Sequence, residues 1–339
     1  MRAALIRAHG GPGQLVFDAN FPDPVPQEGE VVVAVKAASL NYHDVFTRRG
    51  MPGIKLTLPV IPGLDVAGEV AELGPGVEGW SVGDAVLVDP VDRSKGGLVG
   101  ETINGGLAQY CKVPARQLVR ITDGVTFEQA AALPVAYGTA HRMMFANGHV
   151  SAGEKVLILG ASGGVGTGCV LLAKQVGAEV VACASSASKL QRLAELGADH
   201  LLDYTSTTGR VGFHKWVYEK YGKPFRRSYA GGVDVVVNFT GGDTWVPSLR
   251  ALKRGGRLLT CGATAGFDPT EDIRFIWTFE LKILGSNSWL VEDLVALMDM
   301  IREGTMAPVI DHVLPLEQAA EGVRLIEERE VFGKVIIKP

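Results

Sequence analysis

A glycine-rich turn lies between an apolar run and an amphipathic segment in the middle of the chain. The turn reads Gly160-Ala161-Ser162-Gly163-Gly164-Val165-Gly166, and it follows the strand-like run 155–159. After it, apolar residues recur at helical spacing up to Gly177, which can end a helix. A helix N-terminus offers unpaired N–H groups and the positive end of its dipole, which suit a pyrophosphate. The order strand, turn, helix therefore predicts a dinucleotide-binding loop formed by Ser162, Gly163, Gly164, Val165 and Gly166.

Two glycines of this turn have separate predicted roles. Gly163 lets the backbone approach the phosphates, and Gly166 lets the helix pack closely against the strand. Ala161 stands where such turns usually carry their first glycine, and a side chain is tolerated there if φ stays negative. A tight turn that binds no ligand is the alternative interpretation of the same residues.

The end of the second predicted strand indicates which dinucleotide is bound. An NAD site usually has Asp or Glu about 20 residues after the glycine turn, where it holds the ribose 2′-hydroxyl. This chain has Ala184-Ser185-Ser186 there, followed by Lys189. Hydroxyl groups and a cation without a carboxylate suit a 2′-phosphate. We therefore predict NADPH rather than NADH, while Lys189 also fits a solvated helix position and Ser186 a helix cap.

Two further groups of residues follow predicted strands. Thr240 comes after the apolar run 233–238, and Cys261-Gly262-Ala263 come after the run 257–260. Parallel sheets bind ligands at the carboxyl ends of their strands, so both groups are predicted to contact the cofactor. Ordinary turn chemistry is the alternative for them.

The elements that would position these residues change character along the chain. The first third has short strands at 30–36, 66–73 and 85–88 without βαβ spacing, which predicts an irregular β domain. The glycine-rich segment 92–106 is predicted as a surface loop. A helix capped by Thr126 is predicted to run to Ala132 and to be interrupted by Pro134.

Strands and helices alternate after this point, which predicts a doubly wound parallel sheet. The tail is predicted to return to the first domain through two helices and a last strand. The predicted strands are 179–184, 200–203, 233–238, 257–261, 282–285 and 335–338, and the predicted helices are 188–196, 213–221, 291–303 and 317–328.

Composition excludes several classes of partner. A length of 339 residues favours two domains, and a net charge of -4 without a basic stripe argues against nucleic acid or anionic membrane as a partner. The four scattered cysteines form no CxxC pair, which fits a reducing cytoplasm and argues against a cysteine-based zinc site. The first residues are too few and too polar for a signal peptide, and no apolar run could span a bilayer. We expect a cytoplasmic protein.

The chain resembles the medium-chain dehydrogenase/reductase superfamily, and within it the zinc-independent quinone oxidoreductase branch that includes zeta-crystallin. The motifs that carry the resemblance are Asn41-Tyr42-His43-Asp44, the segment 63–70 with Val82-Gly83-Asp84, Ala130-Ala131-Ala132-Leu133-Pro134 and Asp311-His312-Val313-Leu314-Pro315-Leu316. The resemblance implies a GroES-like catalytic domain at 1–130 and 287–339 and a Rossmann NADP(H)-binding domain at 131–286. It also implies a homodimer or tetramer, in which 281–285 is an edge strand that pairs across a two-fold axis.

The resemblance also identifies the positions at which zinc-dependent members hold their catalytic metal. This chain has Asn41, Leu64 and Val135 there. Leucine and valine offer no ligand atom, and zinc needs about three N, S or O ligands. The four-cysteine lobe of a structural zinc is absent as well. We therefore expect no metal, and the better hydride acceptor without a Lewis acid is a quinone or an α,β-unsaturated carbonyl compound.

Further site residues follow from the resemblance. It implies that Ser185, Lys189 and Tyr204 hold the 2′-phosphate, and that Asn41 and Thr139 contact the carboxamide and the substrate. His43 occupies the position of the proton-relay hydroxyl of alcohol dehydrogenases, and Tyr42 is its rival as proton donor. A structural histidine, with a proton from water or the cofactor ribose, remains an alternative.

The sequence thus predicts a zinc-independent NADPH-dependent reductase of quinones, enones or enals, which acts on a small molecule and binds neither nucleic acid nor membrane. Two alternatives stay open. One is a metal-free NADP-dependent alcohol or aldehyde dehydrogenase, and the other is an NADPH-binding protein without catalytic activity.

Overall fold

The computed structural model describes residues 1–51, 53, 54, 56–205 and 212–339. It divides the chain into two units. Unit 1 comprises Met1–Ala136 and Val291–Pro339, and unit 2 comprises Tyr137–Leu290.

The amino-terminal part of unit 1 is built from short strands, as its sequence predicts, and its described residues also form two α-helices. The strands are Ala3–Ile6 (β1), Leu15–Asp18 (β2), Glu30–Leu40 (β3), Asp65–Leu73 (β4), Ala85–Val88 (β5), Val91–Asp92 (β6), Gly97–Leu98 (β7), Tyr110–Pro114 (β8) and Leu118–Arg120 (β9). The helices are Tyr42–Arg49 (α1) and Phe127–Ala131 (α2). Helix α1, which directly follows β3, was not predicted from the sequence.

Strand β3 is at the centre of the unit 1 sheet. It is rich in β-branched residues that favour a buried sheet position, and it pairs antiparallel with β4 and with β8. Val31, Val33 and Leu40 of this strand are fully or almost fully buried in the hydrophobic core. The carboxyl end of β3 is thereby held in place where it delivers the chain to Asn41 and α1.

The segment 92–106 differs from the surface loop that the sequence predicts. Strands β6 and β7 form a small antiparallel pair within it, and Asp92 and Val99 are buried. Gly105 is also buried, because its N–H donates to the Ile61 carbonyl and an added Cβ would lie 2.3 Å from Gly63 O. The prediction was wrong for these residues because small side chains allow them to pack tightly against 61–63, whereas 93–96 and 102–104 are exposed, as predicted.

Unit 2 contains the predicted parallel sheet. Its strands are Lys155–Ile158 (β10), Glu179–Ala184 (β11), His200–Asp203 (β12), Val233–Val237 (β13), Leu252–Thr260 (β14) and Lys282–Gly285 (β15). Among the described residues they stand in the order β12-β11-β10-β13-β14-β15 with every pairing parallel. The helices assigned as α are Thr139–His141 (α3), Gly164–Gln175 (α4), Ala187–Glu195 (α5), Phe213–Tyr221 (α6), Trp245–Ala251 (α7) and Ile273–Thr278 (α8). The predicted α/β fold class is confirmed.

The helical run around Pro134 continues where the sequence predicts an interruption. Thr126 caps α2 by accepting a hydrogen bond from the Gln129 N–H, as predicted. Beyond α2 the chain remains helical with π geometry over Leu133–Gly138 and again over Arg142–Asn147. Proline lacks an N–H for the α-helical bond, and a change in helical pattern accommodates that loss without ending the helix.

The carboxyl-terminal tail belongs to unit 1. It comprises helix Val291–Arg302 (α9), strand Ile310–Pro315 (β16), helix Ala319–Glu327 (α10) and strand Lys334–Lys338 (β17). Strand β17 pairs antiparallel with β3 and parallel with β16, so the last strand completes the sheet that the first strands begin. None of the helices in the described part of the chain combines the length and the hydrophobicity that crossing a bilayer requires.

Candidate functional site

The glycine turn of unit 2 has the geometry of a phosphate-binding loop. Helix α4 begins at Gly164 after Gly163, and among the described residues no side chain caps it. The first N–H groups of a helix have no intrahelical partner, and here no capping side chain from the described part of the chain supplies one. Gly160 has φ +65°, which favours glycine. Ala161 does not have a positive φ, so its side chain is tolerated there, as predicted.

Glycine is required for packing at position 166 but not at position 163. A Cβ on Gly166 would lie 2.2 Å from Gly160 O, so glycine is needed there for the helix to approach the strand. A Cβ on Gly163 would meet only Gly160 O, at an ordinary 3.6 Å, and the backbone there is extended with φ −83°. Neither packing within the protein nor backbone conformation requires glycine at 163. Glycine there leaves the backbone open to a ligand that approaches from outside, as the predicted pyrophosphate would.

The carboxyl edge of the parallel sheet brings several predicted cofactor residues near this turn. Thr240 follows β13, and its Oγ1 would lie 3.8 Å from a Cβ on Gly160. Cys261 follows β14, and burial raises the pKa of its thiol to about 12, so the thiol stays neutral. Asn238, which the sequence analysis did not single out, accepts hydrogen bonds from the N–H groups of Thr240 and Gly241 and thereby fixes this turn.

The predicted 2′-phosphate residues lie where β11 and β12 end. Ser185 is exposed after β11, and the Tyr204 N–H donates to the Ala184 carbonyl at 3.3 Å. Ser186 caps α5, because its Oγ accepts from the Lys189 N–H, and Lys189 is therefore in the first turn of that helix. Asp203 ends the neighbouring strand, and its carboxylate accepts hydrogen bonds from the Thr205 N–H and hydroxyl.

Unit 1 contains a buried polar network around Asn41. The Asn41 amide nitrogen donates to Asp65 Oδ2 at 2.8 Å, and its amide oxygen accepts from Lys334 Nζ at 2.6 Å. Lys334 also donates to the Leu40 carbonyl and lies 3.4 Å from Asp65 Oδ2. Burial raises the pKa of Asp65 and lowers the pKa of Lys334, because both charged forms lose their contact with water.

Asp44 connects this network to α1 and to the segment 61–63. Its carboxylate accepts hydrogen bonds from the Asn41 N–H at 2.8 Å and from the Gly63 N–H at 2.9 Å. Burial raises the pKa of this carboxyl group, while the two N–H donors oppose the shift. The N-terminus of α1 is therefore fixed at the residues that precede His43.

The network connects the three positions that the resemblance identifies as metal-binding in zinc-dependent members. Asn41 and the N–H of Val135 both bond to Asp65, which directly follows Leu64. Both polar ends of the Asn41 amide are engaged within the protein, and Leu64 and Val135 have no ligand atoms. In the described part of the chain, no three His, Cys, Asp or Glu side chains cluster as metal ligands would.

His43 lies in the first turn of α1 and pairs with a residue that sequence reasoning missed. Its Nε2 lies 2.8 Å from Glu101 Oε2, and the two side chains are 27% and 16% exposed. Tyr42, the rival proton donor, packs its ring against Phe46 with the centroids 4.9 Å apart. Thr139 is buried at the start of α3 in unit 2.

Three residues of unit 1 that shape this site were not found from the sequence. Lys334 is a charged residue in the otherwise apolar strand 334–337, and Asp65 interrupts the apolar run around it. A charge in a strand of buried residues was the available signal for both. Glu101 gave no signal, since its segment resembles an ordinary polar loop.

A cavity of about 700 Å³ lies elsewhere in unit 1. Its walls include Phe21, Asp92, Lys112 and Arg116, and no predicted site residue lines it. The cavity is therefore separate from the residues predicted to contact the cofactor and the substrate.

Two family models match the sequence. One, described as the alcohol dehydrogenase GroES-like domain, matches residues 27–123, and the other, described as zinc-binding dehydrogenase, matches residues 164–303. Among curated proteins, acryloyl-coenzyme A reductase of Sulfurisphaera tokodaii is 30% identical over 97% of this chain and 98% of its own. Quinone oxidoreductase of Pongo abelii is 27% identical over 99% of this chain and 97% of its own.

Solved structures also match the chain over nearly its whole length. A structure described as NAD-dependent alcohol dehydrogenase is 37% identical with a TM-score of 0.89, and the match covers 100% of both chains. The structure of a 2-octenoyl-CoA carboxylase reductase in complex with NADP and 2-octenoyl-CoA is 29% identical with a TM-score of 0.84. That match covers 96% of this chain and 82% of the other.

Proposed function

The chain belongs to the medium-chain dehydrogenase/reductase superfamily and is an oxidoreductase of that type, and on that premise we propose that it transfers a hydride from NADPH to a quinone or an α,β-unsaturated carbonyl compound without catalytic zinc. The observation that carries this proposal is the engagement of Asn41. Its amide is bonded at both ends to Lys334 and Asp65, at the position where zinc-dependent relatives have a ligand.

The chemistry of the acceptor follows from that observation. Zinc polarises the oxygen of a simple ketone and so contributes several kcal/mol to the transition state. Quinones and conjugated carbonyl compounds accept a hydride without such help, because the negative charge that forms is delocalised. Relatives described as quinone oxidoreductase and acryloyl-coenzyme A reductase support this acceptor class.

NADPH is proposed as the hydride donor because of the residues at the ends of β11 and β12. When bound, it supplies the hydride. The turn 160–166 would hold its pyrophosphate, with Thr240 and Cys261-Gly262-Ala263 beside it, and Ser185, Lys189 and Tyr204 would bind its 2′-phosphate. We assign Asn41 and Thr139 to the carboxamide and the substrate, and His43 to proton delivery.

A panel of substrates with metal analysis of the same preparation tests the function. We expect NADPH to be consumed with quinones and with enones or enals. The preparation should contain far less than one zinc per chain, because the site lacks three ligand side chains. Treatment with a chelator should cause no loss of activity. Stoichiometric zinc together with chelator-sensitive activity would refute the proposal.

Substitution of Lys189 tests the cofactor assignment. Lys189→Glu places a negative charge where we propose the 2′-phosphate, so the KM for NADPH should rise roughly 10- to 100-fold, as expected for the loss of a charge-assisted hydrogen bond. The KM for NADH should change little. Lys215→Glu, at an exposed position in helix α6, is the matched control. Equal effects of Lys189→Glu on both cofactors would argue against a phosphate role.

A metal-free alcohol dehydrogenase is the second candidate, favoured by the relative described as NAD-dependent alcohol dehydrogenase. It predicts sustained oxidation of simple alcohols with NADP⁺ by metal-free protein. A protein that binds NADPH tightly but reduces no member of the panel would instead fit the non-catalytic alternative.

A further inference from the structure

We propose that Glu101 is a positioning residue for proton delivery, and that its carboxylate orients the His43 imidazole toward protonation of the reduced substrate. The inference rests on the proposed function, since it concerns the step after hydride transfer. The contact of Glu101 Oε2 with His43 Nε2 at 2.8 Å carries it. Both side chains are partly shielded from water, which strengthens the interaction between them.

Both members of the pair are held by one backbone segment, 61–63. On one side, Asp44 accepts the Gly63 N–H and the Asn41 N–H, which fixes the turn of α1 that contains His43. On the other side, Asn104 accepts the Ile61 N–H through its side chain. The N–H groups of Gly105 and Gly106 donate to the carbonyls of residues 61 and 63. The geometry of the pair is therefore set by the fold.

The turn that carries Glu101 is itself tightly built. Gly100 has φ +78°, and a Cβ there would lie 3.0 Å from the backbone of Gly63. Thr102 closes the turn, because its Oγ1 accepts from the Leu98 N–H at 2.7 Å and donates to the Leu98 carbonyl. The backbone of this turn is thus restricted, which keeps the Glu101 carboxylate beside the imidazole.

The proton balance assigns a role to each ring nitrogen. Hydride addition leaves an enolate, or a hydroquinone monoanion, that needs one proton. Because Nε2 of His43 is engaged by Glu101, Nδ1 carries the mobile proton of the imidazolium. The Nδ1–H bond breaks as a C–H or O–H bond forms on the substrate, and the neutral ring keeps its Nε2–H bonded to Glu101. A proton taken up from solvent then restores the Nδ1–H, so each turnover consumes one NADPH and one proton.

Other charged groups around α1 are engaged with partners of their own. Asp44 is adjacent to His43 and accepts two backbone N–H groups. At the far end of the helix, Glu327 of α10 pairs with Arg48 and Arg49, and His9 Nδ1 lies 3.2 Å from the Thr47 carbonyl. Asp44 also interacts electrostatically with His43, but among the described residues Glu101 is the carboxylate that hydrogen-bonds to the imidazole.

The kcat and the KM of wild type and Glu101→Gln test the proposal. A neutral amide at position 101 orients the imidazole less firmly than the carboxylate does, so kcat should fall roughly tenfold. The KM for NADPH should stay unchanged. His43→Gln should lower kcat at least as much. Glu101→Asp, which keeps the charge, should restore part of the activity.

Glu30→Gln is the matched control, because Glu30 is also partly buried and ion-paired, to Lys112 at 2.8 Å. It should leave kcat unchanged. A readout independent of activity comes from protein labelled with ¹⁵N histidine. The Nε2–H signal of His43, protected by its hydrogen bond, should be visible in wild type and lost in Glu101→Ala.

The outcomes separate the two proposals. Wild type that consumes no NADPH with any member of the panel overturns the proposed function. Active wild type beside a Glu101→Gln variant with an unchanged kcat overturns the role of Glu101 alone, as does an Nε2–H signal that survives in Glu101→Ala.

Discussion

Lys334 occupies an unusual chemical position, since its amino group is buried beside the residues proposed to act on the substrate. It is 2% exposed and lies between Asn41, the Leu40 carbonyl and Asp65. Desolvation of an ion pair costs free energy, which the additional hydrogen bonds from Asn41 and the backbone offset. The pair fixes the orientation of the Asn41 amide, and through it the residues at the start of α1.

Lys334→Met should therefore be strongly destabilising. It leaves Asp65 buried without a counter-ion, which typically lowers the free energy of unfolding by about 3–5 kcal/mol. The double variant with Asp65→Asn should recover part of this loss, since no charge is then buried. Urea denaturation of the single and double variants measures both effects, and a single variant as stable as wild type would contradict the interpretation.

The same variant should show a defined pH dependence. Burial raises the pKa of Asp65 above its usual value, and removal of the lysine charge raises it further. A carboxyl group with a raised folded-state pKa favours folding below the unfolded-state value and loses that contribution as pH rises through the folded-state value. The deficit of Lys334→Met should thus be larger at about pH 8 than at about pH 5. An equal deficit at both values would contradict a buried carboxylate.

At the scale of elements, the sequence predicted what is local and missed what depends on contacts between distant segments. The strand, turn and helix at 155–175 were predictable, because periodicity and glycine spacing lie within one stretch of chain. Lys334 gains its role only when β17 pairs with β3, nearly 300 residues earlier in the sequence. Glu101 is comparable, since only the packing of 100–106 on 61–63 brings it to His43.

The glycine turn provides a test that separates folding from cofactor binding. Gly166→Ala introduces a Cβ 2.2 Å from the Gly160 carbonyl oxygen, so it should lower stability by about 1–3 kcal/mol. Gly163→Ala meets no such obstacle and should leave the melting temperature nearly unchanged. Its added methyl group should nevertheless weaken NADPH binding, measured by calorimetry. Unaltered binding by Gly163→Ala would indicate a turn that serves the fold alone.

At the scale of the whole molecule, the expected homodimer depends on strand β15. In the described residues it is an end strand of the parallel sheet, with exposed apolar side chains at Ile283 and, on the preceding helix α8, at Ile273 and Trp277. An end strand has one row of free backbone groups, which can pair with a second copy. The strand begins at Lys282, and Leu281, which was predicted as part of it, donates its N–H to the Ile276 carbonyl.

Proline substitution in β15 tests this dimer. The Ser286 N–H donates to the Thr260 carbonyl of β14, and alternate residues of a strand bond to opposite sides, so the Ile283 N–H faces away from β14. Ile283→Pro removes only that outward donor, and sedimentation should show a monomer that still unfolds cooperatively. Leu284→Pro is the matched control, because it removes a bond within the sheet and should instead lower the melting temperature. A dimer that persists in folded Ile283→Pro would place the interface on another surface.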